Sequence, residues 1–230
     1  MPTINAGRVG FIRGTPSSNL TTARTSNGST ATDSPTTNIS NPVMSFFSSG
    51  RGGGTILFNR TYVYFDTSGI TATPTSAKLK FTVVTHNSSD VALMNGFNAF
   101  GGDGNSALAT SEFDEVNMGG FSQTFATNTA KNLSIGAEEI DLNTTGLNAI
   151  TSDNDTVMCL MNGTFDFGNT TPSSTTQLGI AFGTTMQLEY VEAATAGPAN
   201  LTSLNTIAKA SITSFNTITL ANIDEINTVS

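Results

Sequence analysis

The chain has 230 residues, a formal net charge of −8, only 11% charged residues, one His, one Cys and no Trp. That acidic balance, with no Lys/Arg cluster to override it locally, argues against a nucleic-acid backbone or an anionic membrane as partner. A single cysteine closes no intrachain disulfide, and with a single histidine it leaves too few soft ligands for a transition-metal cluster, so stability must come from packing and oligomerisation.

A chain of this length can bury a sizeable core. Ser, Thr, Asn and Gly dominate, while Glu, Lys and Arg, the usual helix formers, are scarce. The composition therefore predicts an all-β protein. No apolar run approaches the roughly 18 residues of a membrane-spanning helix, and the first residues carry no signal-peptide core. The expectation is a protein that leaves its cell by another route.

In chain order, residues 3–14 alternate around Val9 and Phe11 and read as a first strand, favoured over an attachment arm. Residues 17–42 are rich in Ser, Thr and Asn, interrupted by Pro35 and Pro42, and read either as a long loop or as weak edge strands. Residues 43–47 and 55–58 are short apolar runs flanking a glycine run with Arg51. A phosphate cradle needs Gly-Lys-Ser/Thr and a following helix, both missing here, so the run reads as a hairpin loop.

Residues 60–66 and 75–84 alternate at period 2, with Val63 and Phe65 against Tyr62 and Tyr64, then Ala77, Leu79, Phe81 and Val83 against Lys78, Lys80 and Thr82. This predicts two half-buried antiparallel strands with a turn at Asp66 to Pro74. Residues 97–125 place Phe97, Phe100, Phe113, Phe121 and Phe125 among Gly and Ser, as long loops rimmed by aromatics. Residues 139–143, 156–161, 177–182 and 185–190 are four further strands, with Cys159 a buried strand thiol. Many short strands between Gly, Asn and Pro turns predict an antiparallel β-sandwich, a jelly roll, over residues 1–196.

Residues 197–230 change character. Ala199 to Ile207, Ala210 to Ile218 and Ala221 to Val229 align without gaps at a period of 11. Three apolar columns result: Leu201, Ile212 and Ile223; Leu204, Phe215 and Ile226; Ile207, Ile218 and Val229. Asn-Thr in every unit is poor in a helix, so turn-plus-strand rungs are the favoured reading over a supercoiled helix. Three small rungs cannot cover their own columns, so these residues are assigned to oligomerisation, preferably as a homotrimer, or else to packing against the body.

Arg60, then Phe65-Asp66-Thr67-Ser68, then Thr75-Ser76-Ala77-Lys78-Leu79 resembles a pattern found in jelly-roll β-sandwich modules of bacterial surface proteins and tailed-phage virion proteins. Residues 100–104, 178–183 and 188–190 are similar to what marine tailed-phage head-fibre and tail-fibre proteins carry in the same order, so the resemblance spans roughly residues 55–191. It implies a virion protein assembled in the host cytoplasm, with other virion proteins as partners, and it implies no catalytic residues.

The candidate chemistry is thin. His86 lies in a polar turn without advertised partners, and no Gly-x-Ser-x-Gly elbow is present. Asp103-Gly104-Asn105 and Asp153-Asn154-Asp155 offer oxygens to Ca²⁺ but lack EF-hand spacing and read as turns. No catalytic residue, metal ligand or cofactor is expected. The leading expectation is a non-enzymatic fibre or decoration subunit of a phage particle. The alternatives are a carbohydrate-binding module of a cell-surface protein, with Phe121 and Phe125 as glycan contacts, and a filament-forming subunit.

Overall fold

The computed structural model describes residues 1–50, 54–87, 90–126, 131–152, 155–182, 186–193 and four two-residue strands in the tail. The chain divides into two units, Met1–Glu192 and Ala193–Ser230. The first is all-β and mostly antiparallel. Its strands are β1 (Thr3–Asn5), β2 (Arg8–Arg13), β3 (Thr30–Asp33), β4 (Asn38–Ser48), β5 (Thr55–Asp66), β6 (Ser76–Asn87), β7 (Asp90–Asn95), β8 (Lys131–Asn132), β9 (Gly136–Asp141), β10 (Asp155–Asn162), β11 (Thr176–Ala181) and β12 (Gln187–Val191), with two short helices, α1 (Leu20–Thr25) and α2 (Thr144–Ser152).

These strands make one sheet in the order β1-β12-β6-β11-β4-β5-β10-β7-β8, with β2 and β3 branching from β5 and β9 from β6. Two long strands are forks. β5 gives one edge to β4 up to Met44↔Asn59 and then to β10 from Leu160↔Thr61, while its other edge pairs with β2. β6 likewise passes from β12 to β11 along one edge and holds β9 on the other. One apolar cluster takes side chains from along that path, including Leu188, Leu79, Val43, Val63 and Leu93, so the sheet wraps its inner face around a common core. Burial of such side chains contributes roughly 1.5–3 kcal/mol each.

Both strands predicted around Asp66 form, but they do not pair with each other. β5 is buried from Ile56 to Phe65 on both faces, and its edges are occupied by β2, β4 and β10, which leaves no edge for β6. The Asp66 turn is therefore a crossover between distant strands of the path. Asp66 Oδ1 accepts from Ser68 N at 3.0 Å and Ser68 Oγ at 2.6 Å, and Thr67, fully buried, shares a 3.1 Å hydroxyl contact with Thr156 of β10. The polar turn thus locks onto the neighbouring strand.

The loop alternative for residues 17–42 gives way to structure. Asn19 caps α1 by accepting from Thr22 N at 3.0 Å, β3 forms a short edge beside β2, and β4 begins at Asn38. β4 and β5 close a hairpin up to Ser48↔Thr55; Arg51 between them lies outside the described residues. Cys159 is fully buried in β10, as its apolar neighbours predict.

In the second unit, β13 (Ser203–Leu204) pairs with β14 (Ile207–Ala208), and β15 (Ser214–Phe215) pairs with β16 (Ile218–Thr219). The register Leu204↔Ile207 recurs 11 residues on as Phe215↔Ile218. Leu201, Ile212, Ile223, Ile226 and Val229 lie outside the described residues.

Candidate functional site

The outer face of β5 presents Phe58, Arg60, Tyr62 and Tyr64, and a second apolar cluster buries it beneath α1, the 97–121 segment and the residues around Phe165. At its centre Arg60 is 0% exposed, an expensive place for a cation unless it is paired. Asp166, equally buried, accepts from Arg60 Nε at 2.8 Å (Oδ2) and from Nη2 at 2.7 Å (Oδ1). Arg60 Nη1 donates to Phe113 O at 2.6 Å and Nη2 to Arg24 O at 2.9 Å. Its guanidinium carbon sits 4.1 Å from the Phe113 ring centroid.

A second arginine completes the cluster. Arg24 Nε donates to Asp166 O at 2.7 Å and lies 3.7 Å from Oδ1; its Nη1 donates to Asn169 Oδ1 at 2.7 Å, and Phe121 stacks against it at 4.1 Å. Burial alone would lower the Arg60 pKa, but the Asp166 charge and its hydrogen bonds override this and raise it above the ordinary arginine value. For Arg24, burial wins over Asp166 and the pKa is lowered, with Arg60 adding like-charge repulsion. One carboxylate therefore fastens β5, α1 and the 163–169 turn, while backbone carbonyls of α1 and of the 110–117 turn take the spare donors. Chemically this is a clamp. Arg60 Nε, Nη1 and Nη2 and Arg24 Nε and Nη1 all donate within the protein.

The covering segment is strained and tied down. Phe97, Phe100 and Phe121 adopt φ of 46°, 60° and 59°, a region side chains rarely occupy. Glu112 holds two turns together, accepting from Ala109 N at 2.7 Å and from Gly101 N at 3.2 Å. Arg8 donates to Ser106 O and faces Asp33 at 3.5 Å. Tyr64 donates to Asp155 Oδ1 at 2.5 Å; burial, with that hydrogen bond, raises its pKa.

The predicted site residues fare differently. Phe121 is half-buried against Arg24 and keeps part of its ring in solvent. Phe125 is 1% exposed and packs in the inner core; a cavity of about 230 Å³ beside Phe97, Asn98 and Asp155 reaches it but leaves no ring face for a sugar to stack on. Phe125 is thus corrected from glycan contact to core residue, because its strand-like neighbours point it inward and its N–H bonds to Leu93 O at 2.8 Å. Leu204, Ile207, Phe215 and Ile218 fall in the tail strand pairs described above. Asp103 Oδ1 accepts from Asn105 N at 3.0 Å as an ordinary turn, while Asp153 and Asn154 lie outside the described residues.

Sequence reasoning missed Arg24 and Asp166. The available signals were a lone Arg in a Ser/Thr stretch and an acid between Phe165 and Phe167, since an isolated charge in apolar company needs a buried partner. Among the described residues no group of three or more His, Cys, Asp or Glu side chains is placed to hold a metal ion, and no helix is long and apolar enough to cross a membrane.

The fold and clamp together define an all-β protein with a charge-pinned cover on one sheet face. No protein-family model matches the chain, and a search of characterised proteins finds no match either.

Proposed function

We propose that the chain is a non-enzymatic structural subunit of a tailed-phage particle, a fibre or decoration protein whose body is a jelly-roll sandwich and whose C-terminal repeats assemble it into a homotrimer. The observation that carries this reading is the tail: three gapless 11-residue units with three apolar columns, two of which contain strand pairs in the same register. Two-residue strands bury almost nothing by themselves, so such units need neighbours to cover them. The forks at β5 and β6, which send one sheet around a common core, support the jelly-roll reading of the body. The cover pinned to β5 by Arg60 and Asp166 supports a displayed module, and the sequence resemblance supplies the particle.

Native mass spectrometry of the intact chain tests this. A trimer is expected, and Phe215→Asp should dissociate it, since an unpaired charge buried between chains costs several kcal/mol. A concentration-independent monomer would refute the reading, and open polymers would favour the filament-forming alternative. The carbohydrate-binding reading retains Phe121 as its aromatic contact; glycan-array binding abolished by Phe121→Ala would favour it.

A further inference from the structure

Where β2 and β4 leave opposite edges of β5, one sheet face opens into a cavity of about 420 Å³. Its size lies within the roughly 300–1,000 Å³ of small-ligand pockets. Directly paired residues point the same way, so the registers Arg13↔Asn59, Met44↔Asn59, Phe46↔Leu57 and Thr32↔Phe11 put all these side chains on one face. Asn59 and Met44 form the buried floor, Phe11 and Phe46 half-buried walls, and Arg13 and Thr32 the rim.

Two features of this cavity are not explained by folding. Asn59 Nδ2 donates to Asn41 O at 2.7 Å, which fixes the amide orientation, yet the buried Oδ1 has no hydrogen-bond partner among the described residues. A buried acceptor left unmade costs about 1–3 kcal/mol and calls for an incoming O–H or N–H. On the rim, Arg13 has no acidic partner among the described residues. Arg8, Arg24, Arg60, Lys78 and Lys80 each have one. A cation left unpaired on an acidic protein, above an orphaned acceptor, has the arrangement of a ligand site.

We propose that this cavity binds a small acidic saccharide, a mono- or disaccharide bearing a carboxylate. Arg13 would take the carboxylate, Asn59 Oδ1 would accept a sugar hydroxyl directly or through one water, the Thr30 and Thr32 hydroxyls line the polar edge, and Phe11 and Phe46 meet the apolar ring face. A peptide strand is a poorer fit, because β2, β4 and β5 already have both edges paired and offer no free backbone ladder. The site lies on β-strands of the body, and it depends on neither the tail nor the virion reading.

Calorimetric titration of the intact chain with digalacturonic acid, and with cellobiose as neutral control, tests it. One saturable site for the acidic sugar is expected, with much weaker cellobiose binding. Arg13→Gln should weaken binding about tenfold or more at unchanged melting temperature, because a charge-assisted bond is lost from an exposed position. Arg13→Lys should be intermediate, keeping the charge without the planar fork. Absence of saturable binding at millimolar sugar, equal affinity for cellobiose, or indifference to Arg13→Gln would each overturn the proposal. Loss of binding in Phe121→Ala with Arg13→Gln unaffected would also overturn it, moving the site to the covering segment.

Discussion

Replacing Asp166 with Asn changes one charge and almost no volume, at the position where β5, α1 and the 163–169 turn converge. The guanidinium of Arg60, fully buried, would keep its bonds to the carbonyls of Phe113 and Arg24 but keep at most one of its bonds of 2.8 and 2.7 Å to residue 166, where an NH2 group would replace one acceptor oxygen; its counter-charge would be gone, and Arg24 would lose the attraction across 3.7 Å. Breaking one partner of a buried pair costs about 3–5 kcal/mol, because the remaining charge keeps its desolvation penalty. Against a typical stability of about 5–15 kcal/mol, that is a large fraction. At roughly 2–4 °C per kcal/mol for a domain of this size, melting followed by circular dichroism should fall by about 10 °C. The double change Arg60→Met with Asp166→Leu should be less destabilising than Asp166→Asn alone, since it removes the two fully buried charges together and leaves only Arg24, whose Nε keeps its bond to the backbone carbonyl of residue 166. A melting temperature within about 2 °C of wild type for Asp166→Asn, or a double variant no better than the single, would refute the assignment of Arg60 and Asp166 as the clamp.

Other changes probe separate parts of the fold. Cys159 is pushed from 9.0 to about 12, chiefly by burial, so the folded state holds its proton where the unfolded chain has released it; stability should be complete below pH 9 and fall as pH rises towards 12, and Cys159→Ala should flatten the slope of urea-unfolding free energy across that window. Gly10 has no room for a methyl group, since a Cβ there would meet Thr32 O at 2.6 Å and Leu108 Cδ2 at 2.8 Å, so Gly10→Ala should cost about 1–3 kcal/mol in chemical denaturation. Phe125→Ala should cost about 3–5 kcal/mol as a cavity in the inner core, whereas Phe121→Ala, half-buried over Arg24, should cost about 1 kcal/mol; equal losses would contradict their assigned places.

The strands were legible because period-2 alternation survives in β6 and β12 and a continuous apolar run marks β10, with Gly, Asn and Pro punctuation between them. Their pairing was not. The chain order of residues 60–84 favours a hairpin, and only the occupied edges of β5 exclude it, a property set by β2, β4 and β10 far along the sequence. Alternation in β5 also understated burial: Tyr62 and Tyr64 read as an outward face, yet that face is roofed by α1 and the 97–121 segment. Arg60 stood in a recognisable pattern, but its role needs Asp166, separated by 106 residues, and no spacing rule connects them. Phe125 was misjudged because aromatics among Gly and Ser read as loop rims, whereas long-range backbone bonding draws this one inward. The cavity around Asn59 was invisible for the same reason, its lining being assembled from four strands.

In the proposed assembly the repeats hold identical chains together while the body folds by itself. Sedimentation velocity on the intact chain and on a version lacking residues 199–230, with thermal melting of both, tests it most directly. A trimer that becomes a monomer on truncation is expected, with the cooperative melting of the body retained. An unchanged mass after truncation, or collapse of the body, would contradict it.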